Sequence, residues 1–256
     1  MIDSEDIRPG DVLSVSCPFT PTEVVRGIGA GPARDHLSVR WPWWEIDESR
    51  TYGHWNGVVA LGVANNDGYV PPEADAELFR TDPPPEALVA GDRCRVGIPP
   101  TVVHVTSVER HDPPLETVWL PRPTRTVTVL RRGLSYREYP DGSHLDGSGY
   151  TLHPGDGIPY AFELVLRPYA DLLAGDEVAD AAGRAWRFDG PWDWTAFDGD
   201  SYGAAPVWPL TLLARAGAPR SPEDPEARAV AAGTANGSHE ETVRAWTALT
   251  GASPTP

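Results

Sequence analysis

Two clusters of tryptophan and acidic residues are the clearest candidates for a functional surface in this sequence. An exposed indole beside a carboxylate suits a sugar face, a nucleobase, a cation or a protein partner, because the ring stacks and the carboxylate accepts hydrogen bonds or pairs charge. We expect stacking from Trp43, Trp44, Trp192 and Trp194. We expect hydrogen-bond acceptance or charge pairing from Glu45, Asp47 and Asp193.

Packing inside the protein is the alternative role for both clusters. A proline ends the strand predicted at 39–41, so Trp43 and Trp44 cannot both point inward, and one indole is expected at the surface. Trp192 and Trp194 follow a Gly-Pro turn and share one face of an extended chain. The rings of the first cluster could instead fill the end of a small barrel, and those of the second could have a structural packing role. The sequence leaves these interpretations open.

The loop at 141–156 is the candidate for metal-dependent hydrolysis. Convergence of His144, Asp146 and His153 would give a zinc or iron site, since both metals take imidazole and carboxylate ligands. The loop nevertheless lacks the H-x-x-x-H, H-E-x-x-H and EF-hand orders, and its Asp-Gly and Ser-Gly pairs are ordinary turn formers. We therefore assign no metal and no cofactor, and a metal- or carboxylate-dependent hydrolase is the alternative function.

The strong negative charge limits the classes of partner. The chain of 256 residues carries 21 basic residues, all arginine, against 37 acidic ones, which gives a formal net charge of −16. Nucleic-acid binders need a dense basic face, and anionic membranes attract basic segments, so neither partner is expected. A basic protein suits this charge, and a structural adaptor or toxin-neutralising protein is the third interpretation.

The elements that must position these residues are mainly strands. The 25 glycines and 28 prolines argue against an all-helical fold. Strands are predicted at 12–16, 37–41, 55–63, 92–98, 101–109, 115–120, 125–131, 160–166, 184–188 and 207–215. We predict a mainly β protein with two barrel- or sandwich-like modules. Capping boxes at 20–23 and 238–241 predict short helices at 21–28 and 239–249.

The predicted organisation has three segments. Residues 1–133 would form a first β module with an N-terminal extension, residues 134–215 a second module, and residues 216–256 a linker and a short helical tail. Gly91-Asp92 and Gly175-Asp176 recur in similar surroundings. A tandem duplication would explain this weak internal repeat, and chance recurrence of Gly-Asp turns is the alternative.

The sequence predicts neither a membrane span nor a signal peptide. No apolar run approaches the about 20 residues of a membrane span, and the acidic N-terminus lacks the apolar core of a signal peptide. We therefore expect a cytoplasmic protein. Cys17 and Cys94 have no metal-binding spacing, and we expect both to be reduced thiols.

Three runs resemble those of uncharacterised, tryptophan-rich β proteins of actinobacteria. They are Trp41-Pro42-Trp43-Trp44-Glu45-Ile46-Asp47, Trp55-Asn56-Gly57 and Gly183-Arg184-Ala185-Trp186-Arg187-Phe188-Asp189-Gly190-Pro191-Trp192. The resemblance covers about residues 36–215 and implies no activity and no catalytic residue. Residues 180–191 are also similar to a strand–turn–strand pattern of phage head–tail connector barrels, which implies a structural role.

The leading functional expectation is a non-catalytic cytoplasmic binding protein. It would recognise a small neutral or cationic ligand, or a protein partner, through the Trp/Asp surfaces named above. The hydrolase and the adaptor remain the alternatives.

Overall fold

The protein is mainly β, as the sequence predicts. The computed structural model describes residues 1–29, 36–44, 56–62, 78–115, 123–134, 149–199 and 205–252. The chain forms two compact units: Met1–Ile7 with Leu13–Glu163, and Arg8–Val12 with Leu164–Pro256. This division falls at different places from the predicted segments 1–133, 134–215 and 216–256. No helix in the described ranges is long and apolar enough to cross a membrane.

Among the described residues, the first sheet has eight strands and curves into half a barrel. Its strands run in the order β3-β2-β1-β5-β6-β7, while β4 pairs with β5 and β8 with β1. The strands are β1 (Val12–Arg26), β2 (His36–Arg40), β3 (Val58–Gly62), β4 (Arg80–Asp82), β5 (Arg93–Arg110), β6 (Arg125–Arg131), β7 (Tyr150–Leu152) and β8 (Ala161–Leu166). Short 3-10 turns lie at Ser4–Asp6 and Pro85–Ala87.

The helix predicted at 21–28 is wrong, because β1 runs through to Arg26. The capping box is a local signal, and pairing with a distant strand overrides it. Val24 is fully buried and pairs with Val39 of β2. Its amide also donates to the carbonyl of Asp92 at 2.9 Å.

The long strand β5 joins the two strands predicted at 92–98 and 101–109. It lies very close to β1, since a Cβ atom added at Gly97 would come within 2.8 Å of the backbone of Cys17 and Phe19. Glycine is therefore required there by space. The strand predicted at 125–131 coincides with β6, and 116–120 of the strand predicted at 115–120 lie outside the described residues.

In the part of the second unit that the structure describes, a sheet of five strands runs in the order β11-β10-β9-β12-β13. Its strands are β9 (Glu177–Ala179), β10 (Ala185–Gly190), β11 (Asp193–Ala196), β12 (Thr211–Arg215) and β13 (Ala218–Pro219). Two helices follow, α1 (Pro225–Gly233) and α2 (Asn236–Thr250). The core of this unit includes Tyr169, Leu172, Val178, Trp186, Phe188, Trp194, Leu210, Leu212 and Val230.

The helical tail packs within the second unit. The helix predicted at 239–249 is confirmed as α2, which begins two residues before the predicted capping box and ends at Gly251 in the left-handed conformation (φ 71°). Trp246 is 4% exposed, and its indole N–H donates to the carbonyl of Gly10 at 3.3 Å. The segment interpreted as a linker and short tail also holds α1, which has Pro225 in its first turn.

One type of turn precedes three of the strands. In each, an aspartate follows a glycine of positive φ and accepts a hydrogen bond from the backbone N–H three residues earlier. These pairs are Gly10-Asp11 before β1, Gly91-Asp92 before β5 and Gly175-Asp176 before β9. This turn accounts for the recurring Gly-Asp pairs by local chemistry alone, and the tandem duplication stays a prediction.

Candidate functional site

The first aromatic cluster surrounds Trp41 in the first unit. Trp41 follows β2, and its amide donates to the carbonyl of Gly57 at 2.8 Å. Its ring is 5% exposed and lies edge-on to Trp43 (centroids 4.8 Å apart), Phe79 (4.9 Å) and Trp44 (5.8 Å). Such edge-to-face contacts stabilise a fixed arrangement of rings.

Trp43 and Trp44 are both half-buried. Both pack against Trp41 on one side and keep part of their surface in contact with solvent. The carboxylates predicted to act beside them, Glu45 and Asp47, lie outside the described residues. The positions of the two indoles are therefore known, whereas the roles of Glu45 and Asp47 as acceptors stay predictions.

Asp156 is next in the chain to a residue that contacts this cluster. Its neighbour Gly157 lies against the backbone of Trp43, because a Cβ atom at Gly157 would be 3.7 Å from the carbonyl oxygen of Trp43. One oxygen of Asp156 accepts from the amide of Ile158 at 2.8 Å. The other is buried and has no hydrogen-bond partner among the described residues. Burial raises the pKa of this carboxyl group to about 7.

Sequence reasoning placed Asp156 in a candidate metal loop and missed this position. His144 and Asp146 lie outside the described residues, so the predicted convergence with His153 stays a prediction. Burial lowers the pKa of His153, and the nearby imidazole of His111 lowers it further. In the described parts of the chain, no group of three histidine, cysteine or carboxylate side chains is placed to hold a metal.

Both cysteines are free and buried. Burial, with a smaller contribution from the charge of Asp156, raises the pKa of the Cys17 thiol to about 11. A thiol with this pKa is almost entirely protonated near neutral pH, and the protonated form is a weak nucleophile.

The second aromatic cluster contains the other predicted tryptophans. Trp194 is 7% exposed, lies 5.0 Å from Phe188, and donates its indole N–H to the carbonyl of Pro191 at 3.3 Å. Trp192 is half-buried, and its ring lies edge-on to Tyr169 at 5.7 Å. Trp194 belongs to the core of the unit, and the partly buried Trp192 packs against that core; that the two share one face stays a prediction. Asp193 between them is exposed.

A hydrogen-bonded pair of rings covers Trp208 in the same cluster. The hydroxyl of Tyr169 lies 2.8 Å from Nδ1 of His239, and the two ring planes differ by 11°. Each ring also stacks on Trp208, with centroids 4.8 and 4.2 Å away. Burial raises the pKa of Tyr169 and lowers that of His239, so a neutral hydroxyl lies against a neutral imidazole, and the imidazole tautomer sets which of the two donates. No sequence pattern pointed to this pair, because its members lie in distant segments.

Buried ion pairs hold the backbone beside this cluster. Arg167 contacts both carboxylate oxygens of Asp11, at 2.9 and 2.8 Å. Arg215 contacts both oxygens of Asp176, at 2.9 and 2.7 Å. Both aspartates are 1% exposed. Bidentate geometry fixes the planes of both groups, so these arginines have a structural role here.

Comparisons with known proteins returned nothing to set beside this geometry: no family model, no curated protein and no solved structure matches the chain.

Proposed function

We propose that this protein is a non-catalytic binding protein that recognises a small neutral or cationic ligand through the surface of Trp43 and Trp44. The observation that supports the proposal is that both indoles are half-buried against the same buried ring, Trp41. Rings held in this way lose little conformational freedom on binding, so more of the contact energy becomes affinity.

The roles proposed for the remaining residues follow from where they lie. Glu45 and Asp47 follow Trp44 in the chain and would accept hydrogen bonds from a ligand or pair with its charge. Asp156 precedes Gly157, which lies against the backbone of Trp43, and its half-buried carboxyl group would be a further acceptor.

Trp192 and Asp193 belong to the second unit and would form a separate, smaller contact. Trp194 is nearly fully buried, so its proposed role is packing. A cytoplasmic location remains part of the proposal.

The test is a ligand titration followed by the indole N–H signals of the tryptophans in NMR spectra. The ligands are methyl glycosides, nucleosides and tetramethylammonium chloride. We expect one class to shift the signals of Trp43 and Trp44, and Trp43→Ala and Trp44→Ala to weaken that binding about tenfold or more.

A matched control is Phe197→Ala, which removes a 57% exposed aromatic ring from the second unit. This variant should bind as the wild type does. Near-ultraviolet circular dichroism establishes whether each variant is folded. Unchanged affinity in folded Trp43→Ala and Trp44→Ala would overturn the proposal, as would a panel that shifts neither indole.

A further inference from the structure

The second aromatic cluster forms a continuous path of ring contacts within the second unit. Trp246 lies edge-on to Trp192, with ring centroids 5.3 Å apart, and Trp192 lies edge-on to Tyr169 at 5.7 Å. Tyr169 stacks on Trp208 at 4.8 Å, and Trp208 lies edge-on to Trp194 at 5.7 Å. Indole and phenol rings are among the side chains that lose a single electron most readily. Rings in contact can therefore pass an electron from one to the next.

Tyr169 has a base beside its acidic proton, whereas two other rings of this path do not. Its hydroxyl lies 2.8 Å from Nδ1 of His239. The indole N–H groups of Trp194 and Trp246 instead donate to backbone carbonyls, at 3.3 Å in both cases. An oxidised phenol or indole is a strong acid, and it becomes a neutral radical only when a base accepts its proton. An imidazole nitrogen is such a base at neutral pH, and a carbonyl oxygen is not.

The burial of Tyr169 favours the tautomer of His239 in which the phenol donates. Tyr169 is 6% exposed, and among the described residues its hydroxyl is bonded to His239. If Nδ1 carried the proton, the phenol hydrogen would be buried without an acceptor, which is unfavourable. His239 is only half-buried, so the tautomer with its proton on Nε2 is the less costly one. Nδ1 is then free to take the phenol proton.

Trp186 also has a base beside its acidic proton, but a positive charge lies over its ring. Its indole N–H donates to the carboxylate of Asp180 at 3.1 Å. The guanidinium carbon of Arg184 lies 4.4 Å from the centroid of the ring. This positive charge opposes the loss of an electron from the indole. Of these rings, Tyr169 is therefore the one best placed to become a radical.

We propose that Tyr169 and His239 form a redox-active pair, in which Tyr169 gives one electron to an oxidant at the surface and its phenol proton passes to Nδ1 of His239. The phenol O–H bond breaks and an N–H bond forms, which leaves a neutral tyrosyl radical beside an imidazolium ion. The oxidant is a one-electron acceptor such as a peroxyl radical, which becomes a peroxide ion. The electron leaves through Trp208, which is half-buried and stacks on both rings.

The reverse reaction restores the pair. One electron from a small reductant such as ascorbate reduces the tyrosyl radical, and the proton on Nδ1 returns to the phenol oxygen. This pair shares no residue with the Trp43 and Trp44 surface, so the proposal goes beyond ligand binding there.

The test uses a ruthenium tris-bipyridine photo-oxidant attached to the full chain next to Trp208. Val207→Cys provides the attachment point, because Val207 is 54% exposed and both native cysteines are buried. A laser flash in the presence of an external electron acceptor generates ruthenium(III), which is the one-electron oxidant. Transient absorption measures the rate of radical formation, and electron paramagnetic resonance distinguishes a tyrosyl from an indolyl radical. We expect a tyrosyl radical, which should form more slowly in D₂O because a proton moves with the electron.

Three variants of the labelled protein locate the radical. Tyr169→Phe should abolish the tyrosyl signal. His239→Asn keeps an oxygen acceptor for the hydroxyl but removes the base, so it should slow radical formation by about a hundredfold, the usual contribution of a positioned base. Tyr202→Phe is the matched control, because Tyr202 is the tyrosine nearest the label along the chain. It should leave both the signal and the rate unchanged.

Near-ultraviolet circular dichroism establishes whether each variant is folded. The proposal is overturned if the radical is indolyl, if Tyr169→Phe keeps the tyrosyl signal, or if folded His239→Asn forms it at the unchanged rate. Equal rates in H₂O and D₂O would also contradict it, and that measurement needs no substitution in the pair. None of these results bears on ligand binding by Trp43 and Trp44.

Discussion

Replacing Asp156 with asparagine should remove a loss of stability that the protein undergoes as the pH rises through about 7. Burial of this carboxyl group raises its pKa from 3.8 to about 7, and one of its oxygens is buried without a partner among the described residues. The folded protein therefore favours the neutral carboxyl group. The resulting stability is fully present below about pH 4 and is lost as the pH rises through about 7.

The magnitude follows from the size of the pKa shift. A shift of about three units corresponds to about 4 kcal/mol, at 1.36 kcal/mol for each unit. Asp156 is half-buried, so solvent screens part of this effect, and we expect about 2 kcal/mol. For a chain of this size, that free energy lowers the melting temperature by roughly 4–8 °C between about pH 4 and about pH 8.

The assay is thermal unfolding of wild type and Asp156→Asn at a series of pH values across this window. Other carboxylates also titrate there, so the informative quantity is the difference between the two proteins at each pH. We expect that difference to shift in favour of the variant by about 2 kcal/mol as the pH rises. Replacing the carboxyl group with an amide also changes the free energy of unfolding by an amount that does not depend on pH. That amount shifts the difference equally at every pH and does not affect how the difference changes with pH.

Glu163→Gln is the control, because Glu163 is an exposed carboxylate in the same unit. Its difference from wild type should stay constant over the same pH range. If the difference for Asp156→Asn is equally flat, the carboxyl group is solvated in the folded protein, and the argument from burial is wrong.

Four further outcomes are expected. Gly97→Ala should unfold the protein or lower its melting temperature by many degrees, because the new Cβ atom would lie 2.8 Å from backbone atoms. Gly237→Ala is the control: it has open space around it and should melt at or above the wild-type temperature. Trp246→Ala should cost about 3–5 kcal/mol in denaturant unfolding, because it removes a ring that is 4% exposed. Cys17 should react with a thiol reagent at about pH 8 only after unfolding, because burial raises the pKa of its thiol to about 11. A time course of labelling followed by mass spectrometry checks this. An NMR titration should give His239 a pKa below 6.5, since burial disfavours the imidazolium ion.

The strands that could be predicted from the sequence are those with one buried face. In β10, Trp186 and Phe188 are 1% and 5% exposed with the exposed Arg187 between them, and the strand predicted at 184–188 overlaps it. Alternation reports burial on one side of a pleated strand directly, so no knowledge of the partner strand is required.

The helix predicted at 21–28 failed because its evidence was entirely local. A capping box contributes at most about 1–2 kcal/mol to a helix. Strand pairing of the same segment brings Val24 into the core against Val39 and satisfies its backbone through Asp92, far along the chain. Contacts with such distant residues cannot be recognised from the eight residues at 21–28 alone, so the local pattern favoured a helix where a strand forms.

Asp156 shows the same limit for a candidate site. Its sequence neighbours indicated a turn-rich loop with metal-ligand types, and that local description suggested hydrolysis. Its distinctive property is the burial of one oxygen, together with the contact of Gly157 with the backbone of Trp43. Both properties depend on how the loop packs against the residues that follow β2, and residue types alone do not predict that packing.

The tryptophans show why composition could identify the candidate surfaces but could not separate surface from core. Trp43 and Trp44 follow the end of a strand, and packing of both on Trp41 leaves each half-buried. Trp194 lies inside β11, where Phe188 of the paired strand lies directly opposite and covers it. A tryptophan beside an aspartate can thus be either buried or partly exposed, and the packing of the neighbouring strand decides which. Since the ring faces of Trp43 and Trp44 are only partly used by the fold, that surface is the one on which a search for a ligand should begin.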